Sequence, residues 1–175
     1  MKKILMTISV VCLAFCVKAQ DNKFSLGVGP AASLPTGDFS QFAALGLGSE
    51  LQAKYAISSS IDGFVQAGYQ SFSGKTVSVF GIDLKYPSSS VIPVLVGAKY
   101  KIGGRVNVGA GIGYGSFSVS GVDGEKGTST GGFAYSPQLG YSFSKIDVVA
   151  NYTSFSITGG NLSFFGLKAY YNFMQ

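Results

Sequence analysis

The chain contains no histidine. That removes the usual general base of Ser-His and Asp-His hydrolases and the commonest metal ligand. Its only two cysteines, Cys12 and Cys16, lie within the first twenty residues. If that stretch is removed, no disulfide framework and no thiol chemistry remain. Charge is scarce, at 12 % of residues, and it is not concentrated. Lys2, Lys3 and Lys18 are three of the 13 basic residues, so ten remain against eight acidic ones. A net of +2 with no lysine-rich tract gives no reason to expect a nucleic-acid partner. After the N-terminus, no apolar run reaches the length of a membrane-spanning helix.

The first twenty residues have a function of their own. Lys2 and Lys3 open a positive segment, Ile4 to Val17 is apolar, and Val17-Lys18-Ala19 supplies a cleavage site. This is the pattern of a secretory signal peptide over 1–19, with the exported part beginning at Gln20. An N-terminal anchor is the alternative, but the run is short for a span. Lipidation at Cys16 is another, and the bulky Phe15 before it fits poorly. The part 20–175 is read as one domain.

What this part does have is glycine, aromatics and alternation. In a strand, successive side chains point to opposite faces. Leu45, Leu47, Leu51, Ala53 and Tyr55 fall on one face, with Ser49 among them; Gly46, Gly48, Glu50, Gln52 and Lys54 fall on the other. Val106, Val108, Ala110, Ile112 and Tyr114 oppose Asn107 and the glycines 109, 111, 113 and 115. Phe165, Leu167, Ala169, Tyr171 and Phe173 oppose Gly166, Lys168, Tyr170 and Asn172. Similar segments begin near Phe24, Ile61, Ile92, Phe133 and Ile146, giving eight strands. Phe64 falls on the otherwise polar side. Past Tyr114 and Tyr152 the parity reverses, at Phe117 and Phe155, which reads as a strand leaving the membrane or as a bulge. Leu34 to Asp38 reads as a turn, and Thr76 to Tyr86 as an extension of the flanking strands.

Each segment is near the roughly 9–11 residues a tilted membrane strand needs. Short connections follow the second, fourth and sixth strands; the longest are Gly74–Ser90 and Gly121–Gly132. Short periplasmic turns and longer outer loops are the habit of outer-membrane barrels. The apolar sets hold no charge, whereas the opposite sets hold Glu50, Lys54, Lys99, Asp147 and Lys168. Lys or Arg facing mid-bilayer lipid costs about 2–4 kcal/mol, so the charged face is expected inside as a polar lumen network. The glycines of the fifth strand are expected to make room for Tyr170 and Phe64. Tyr55, Tyr100, Tyr141 and Tyr171 are placed to form an interfacial girdle. The fold expected is an all-β, eight-stranded, antiparallel up-and-down transmembrane barrel, closed and therefore monomeric.

Leu34-Pro35-Thr36-Gly37-Asp38-Phe39, Gln52-Ala53-Lys54-Tyr55, Ile92-Pro93-Val94-Leu95-Val96-Gly97-Ala98-Lys99-Tyr100 and the closing Gly166 to Phe173 resemble the small outer-membrane β-barrel proteins of the OmpX/OmpA-like type. The resemblance implies an integral outer-membrane protein in contact with lipid. It further implies that the closing strand, with Gly166, Tyr171 and Phe173, is the signal read by the barrel-assembly machinery. Met174 and Gln175 follow Phe173, a departure from the usual terminal aromatic.

No catalytic, cofactor or metal set is expected. A carboxylate pair from Glu50 and Asp147 competes with the plainer reading that lysines neutralise both. The alternating glycines 109–115 are a strand face, not the spacing of a phosphate loop. Three functions follow: a non-enzymatic surface barrel acting through its outer loops, a narrow conduit for small or hydrophobic solutes, and a soluble lipocalin-like carrier. The last requires a polar exterior and an apolar lumen.

Overall fold

The computed structural model describes residues 23–79, 82–120, 128–157 and 160–174. The signal peptide expected at 1–19 lies outside them, as does most of the second long loop. Among the described residues the strands are β1 (Phe24–Thr36), β2 (Ala43–Ala56), β3 (Ile61–Gly74), β4 (Thr76–Val79), β5 (Ile82–Lys85), β6 (Ser89–Ile102), β7 (Val106–Val119), β8 (Thr128–Phe143), β9 (Ile146–Ile157) and β10 (Gly160–Met174), with one helical turn α1 (Phe39–Phe42). Eight of them close in the order β1-β10-β9-β8-β7-β6-β3-β2. Every pairing is antiparallel, and β1 closes the circle on β10. Among the described residues the sheet closes on itself, so its strands have neighbours on both sides through the membrane band, as lipid, which cannot satisfy unpaired backbone groups, requires.

The alternation in the sequence sorts the side chains as expected. Leu47, Leu51, Val65, Val96, Ile112, Leu139 and Leu167 lie exposed on the outer surface, Leu47 at 59 %. Glu50, Gln52, Gln66, Lys99, Asp147 and Lys168 are buried within. A soluble ligand-carrying barrel needs the opposite arrangement, so that expectation is set aside. Tyr55, Tyr100 and Tyr171 point outward at the end that carries both described termini, and Tyr141 stacks on Phe143 at 4.4 Å. Tyr69, Tyr114, Phe133 and Phe165 form a second exposed aromatic set toward the loop end.

Three local expectations are corrected. Leu34, Pro35 and Thr36 do not form a turn; they pair with Phe165, Phe164 and Ser163 of β10. Pairing of β1 with β2 stops at Ser33, so Pro35 has a neighbour on one side only and its missing N–H is tolerated there. The turn begins at Gly37, whose φ of 58° suits glycine. Residues 76–85 do not extend β3 and β6; they form a separate hairpin, with Thr76 opposite Lys85. The loop expected at 121–132 is shorter, because Thr128 to Gly132 already belong to β8.

Of the two readings of the parity reversals, the strand leaving the membrane holds and the bulge does not. Pairing of β7 with β6 and β8 runs without a shift from Val106 to Val119, and that of β9 with β10 from Ile146 to Ile157. Phe117 and Phe155 point inward. The positions beside them face outward and are serines: Ser118 donates to Ser129 at 3.0 Å, and Ser163 to Ser154 at 3.0 Å. The strands thus continue beyond the apolar band, and their two faces exchange character there.

The inward side of this projecting collar is an apolar plug. Phe39 of α1 is fully buried against Phe72 (ring centroids 4.9 Å) and Phe117 (5.8 Å), and Phe72 packs on Phe164 at 5.5 Å. Val91, Leu95, Ala134, Phe155 and Leu162 complete it. Each buried phenyl contributes about 1.5–3 kcal/mol relative to exposure, which is why the four-residue α1 turns down into the mouth rather than away from it.

Candidate functional site

The lumen has three parts along its axis: the aromatic plug at the loop end, a polar middle, and a funnel at the other end. The five charged residues singled out from the sequence all lie inside, yet they form three separate groups.

The first group centres on Glu50 of β2. Its Oε2 accepts hydrogen bonds from Lys168 Nζ at 2.8 Å and Tyr170 Oη at 2.9 Å; its Oε1 accepts from Gln70 Nε2 at 2.9 Å. Ser33 Oγ in turn donates to Gln70 Oε1 at 2.6 Å. A buried carboxylate is tolerable when it is both paired and hydrogen-bonded, and here both oxygens are satisfied. The second group joins Lys54 to Asp147 Oδ2, which also accepts from Asn172 Nδ2 at 3.0 Å. Glu50 and Asp147 therefore each have their own lysine and do not form a carboxylate pair.

The third is Lys99, 3 % exposed. Its Nζ donates to Gln52 Oε1 at 3.0 Å and sits 5.2 Å from the centre of the Phe64 ring. No carboxylate of the described residues pairs with it. An amide ladder continues across the lumen, with Gln52 and Gln138 both donating to Gln66 Oε1 at 3.4 and 3.0 Å.

Glycine makes this packing fit. A Cβ on Gly111 would come within 3.1 Å of the Phe64 ring, and one on Gly97 within 2.7 Å; Gly115 and Gly46 are covered by the Phe155 and Phe72 rings. The expected neighbour Phe64 is therefore present. Tyr170 is elsewhere: none of the β7 glycines meets it, and its hydroxyl donates to Glu50. The parity count places Gln66, Gln70, Gln138 and Asn172 on the inward face, but it does not give their partners, nor the ion pair of Lys101 with Asp62 at 2.7 Å.

Below these groups the lumen opens into a funnel of about 470 Å³, lined by Lys23, Ser25, Lys54, Lys101, Ser142 and Asp147 among others. Among the described residues the opposite end is filled by the aromatic plug.

A family model for the outer membrane protein beta-barrel domain matches residues 5–173, almost the entire chain. The chain belongs to that family. This outer-membrane barrel sits in the lipid bilayer of the bacterial outer membrane, with the apolar band facing hydrocarbon. Solved structures with the same fold include Ail, the attachment invasion locus protein of Yersinia pestis, at 20 % identity and TM-score 0.60, covering 86 % of this chain and 98 % of that one. Neisserial surface protein A matches at 15 % identity and TM-score 0.57, covering 87 % and 97 %. The N-terminal barrel domain of Pseudomonas aeruginosa OprF matches at 12 % and 0.57, covering 85 % and 97 %. At these identities the likeness is one of fold. No curated protein matches the sequence. Short turns close this barrel at 57–60, 103–105 and 144–145, the end that the family habit assigns to the periplasm.

Proposed function

We propose that this outer-membrane barrel is a non-enzymatic surface protein that contacts a partner outside the cell through its long loops. In this reading a signal peptide at 1–19 exports it. The barrel-assembly machinery inserts 20–175 as a monomer, reading Gly166, Tyr171 and Phe173 of the closing strand, and no cofactor is needed. The polar groups Glu50, Lys54, Lys99, Asp147 and Lys168 hold the lumen together. The observation that carries the reading is the filled lumen: an aromatic plug above a buried polar layer leaves the outer loops as the part free to meet a partner. The same filling disfavours the conduit reading.

Two of the fold relatives are named for attachment and for the cell surface. Ail was solved with the heparin analogue sucrose octasulfate. The outer segments of this chain are not charged for such a polyanion, because Lys75, Lys85 and Lys126 stand against Asp38, Asp83, Asp123 and Glu125. A neutral or mixed surface is the better-matched partner. The test is to replace 76–85 and 121–127 by short turns and measure attachment of expressing cells to host cells and matrix, with surface levels matched. Attachment should fall to that of cells lacking the protein; undiminished attachment would overturn the reading.

A further inference from the structure

The outer face of the collar that rises past the apolar band carries a row of hydroxyls. Ser71 of β3 stands opposite Ser90 of β6, Ser90 opposite Ser118 of β7, and Ser118 opposite Ser129 of β8. The four strands are adjacent in the barrel, so the serines form one cross-strand row. The row faces outward, because Phe72, Ser89 and Phe117, the chain neighbours of its members, are the buried ones. Ser71 and Ser129 are exposed; Ser90 and Ser118 are half-buried. A second pair, Ser154 and Ser163, stands on the next two strands, β9 and β10. Only β1 and β2 differ, presenting Leu34 and Leu45. Contact with water alone does not call for this composition. Charged residues do occur at this end, Asp38 and Lys75 in connections and Asp83 and Lys85 in the β4–β5 hairpin. None of the described outward positions on the collar is charged. Serine is also not among the residues that strands favour, whereas threonine is. Directly below the row lies the exposed aromatic set Tyr69, Tyr114, Phe133 and Phe165, which marks the lipid boundary. Two residues separate Tyr69 from Ser71 and four separate Phe133 from Ser129. Allowing for strand tilt, the hydroxyls therefore stand roughly 5–10 Å past the rings, at the depth of lipid headgroups.

We propose that this hydroxyl row binds the sugar headgroups of glycolipid in the outer leaflet. A sugar presents hydroxyls that both donate and accept, and each serine does the same. The bond from Ser118 to Ser129 leaves an acceptor site on both oxygens. The ring faces of the aromatic set carry partial negative charge, which suits the C–H side of a pyranose. With no Lys or Arg among these positions, the row has nothing to pair with a phosphate, so it selects the sugar rather than the charge. The occupant is membrane lipid because the row is continuous with the lipid-facing band. A glycolipid whose acyl chains lie against that band already holds its headgroup beside the serines, at a high effective concentration. The surface is the barrel wall, and it is independent of the loop reading above.

The experiment uses the full exported chain in phosphatidylcholine nanodiscs, with NMR amide shifts followed as a second lipid is added in increasing mole fraction. The probes are digalactosyl diacylglycerol, which has an uncharged sugar headgroup, and phosphatidylglycerol, which has an anionic one. Saturable shifts are expected at Ser71, Ser90, Ser118 and Ser129 with the galactolipid and not with phosphatidylglycerol. Two quadruple variants isolate the hydroxyl, since valine and threonine share a β-branched shape that suits a strand. Ser71→Val, Ser90→Val, Ser118→Val and Ser129→Val together should raise the half-saturating galactolipid fraction about tenfold or more, as losing two or more ordinary hydrogen bonds does. The same four positions changed to threonine should leave it nearly unchanged. Equal shifts with phosphatidylglycerol, or a valine variant that binds as the threonine variant does, overturn the site. Saturation of the same amides by free methyl β-galactoside as readily as by the lipid would make the ligand a soluble glycan and overturn the lipid assignment. The contrast between the two lipids in the unaltered chain carries the test even if the valine variant does not fold.

Discussion

Lys168 and Glu50 lie 118 positions apart in sequence and meet across an intervening strand, Nζ to Oε2 at 2.8 Å. Their strands β10 and β2 do not pair with each other; each pairs with β1, Lys168 opposite Ala31 and Glu50 opposite Gly29. The ion pair therefore bridges the strand at which the barrel closes. Both side chains are almost completely buried, so the pair acts as a clasp over the closing seam.

Removing one side of that clasp leaves a buried charge without its partner. Lys168→Met is expected to destabilise the barrel by about 3–5 kcal/mol, read from urea unfolding in lipid vesicles. The double variant Glu50→Gln with Lys168→Met should recover most of the loss, because no unpaired charge remains. A double variant as unstable as Lys168→Met alone would show that the pair's role is packing rather than charge.

The apolar band gives a depth-dependent prediction. Val96 lies midway along β6 and faces outward; Ile146 faces outward at the first residue of β9. Val96→Arg should cost about 2–4 kcal/mol and Ile146→Arg about 0–1 kcal/mol in the same unfolding assay. Equal costs would mean that Val96 does not sit in hydrocarbon.

The plug is testable through α1. Phe39 is fully buried among three aromatic rings, and Phe39→Ala should cost about 3–5 kcal/mol. The chain should then become cleavable by protease near 37–42 while its heat-modifiable gel migration, the mark of a folded barrel, is retained. Unchanged protease resistance would place the closure of the lumen elsewhere.

Glycine fit predicts overpacking. A side chain at Gly115 would collide with the Phe155 ring, so Gly115→Val should destabilise by about 1–3 kcal/mol. Adding Phe155→Leu should relieve part of that strain. If it adds further loss instead, the two positions are not coupled.

The closing strand carries the proposed assembly signal. Phe173 is exposed on the outer face and makes little contribution to the folded core. Phe173→Ala should therefore slow insertion in cells severalfold while leaving unfolding in vesicles nearly unchanged. A matching loss of stability would assign the residue to packing instead.

Most of the membrane band was legible in the sequence, because each strand reports its two environments at every second residue. Glu50 and Leu51 are adjacent and belong to opposite faces; no other information is needed to separate them. The same logic leaves two readings open at Phe117 and Phe155. Their parity was legible as a change, but a change in sequence pattern does not say whether the strand or its surroundings have altered. The unbroken register decides that the surroundings have. The hairpin at 76–85 was missed for a related reason: a short apolar-polar run marks a strand without naming its partner.

Which residues face lipid, and that the chain should close without an edge, followed from alternation alone, a local property of the extended backbone. Which lysine meets which acid, that Lys99 is left with neither, and that α1 folds back over the lumen were settled only by closure. Closure brings β1 beside β10 and sets residues more than a hundred positions apart at hydrogen-bonding distance. It also fixes where the apolar band ends; beyond that level water replaces lipid outside, so the oily side chains turn inward.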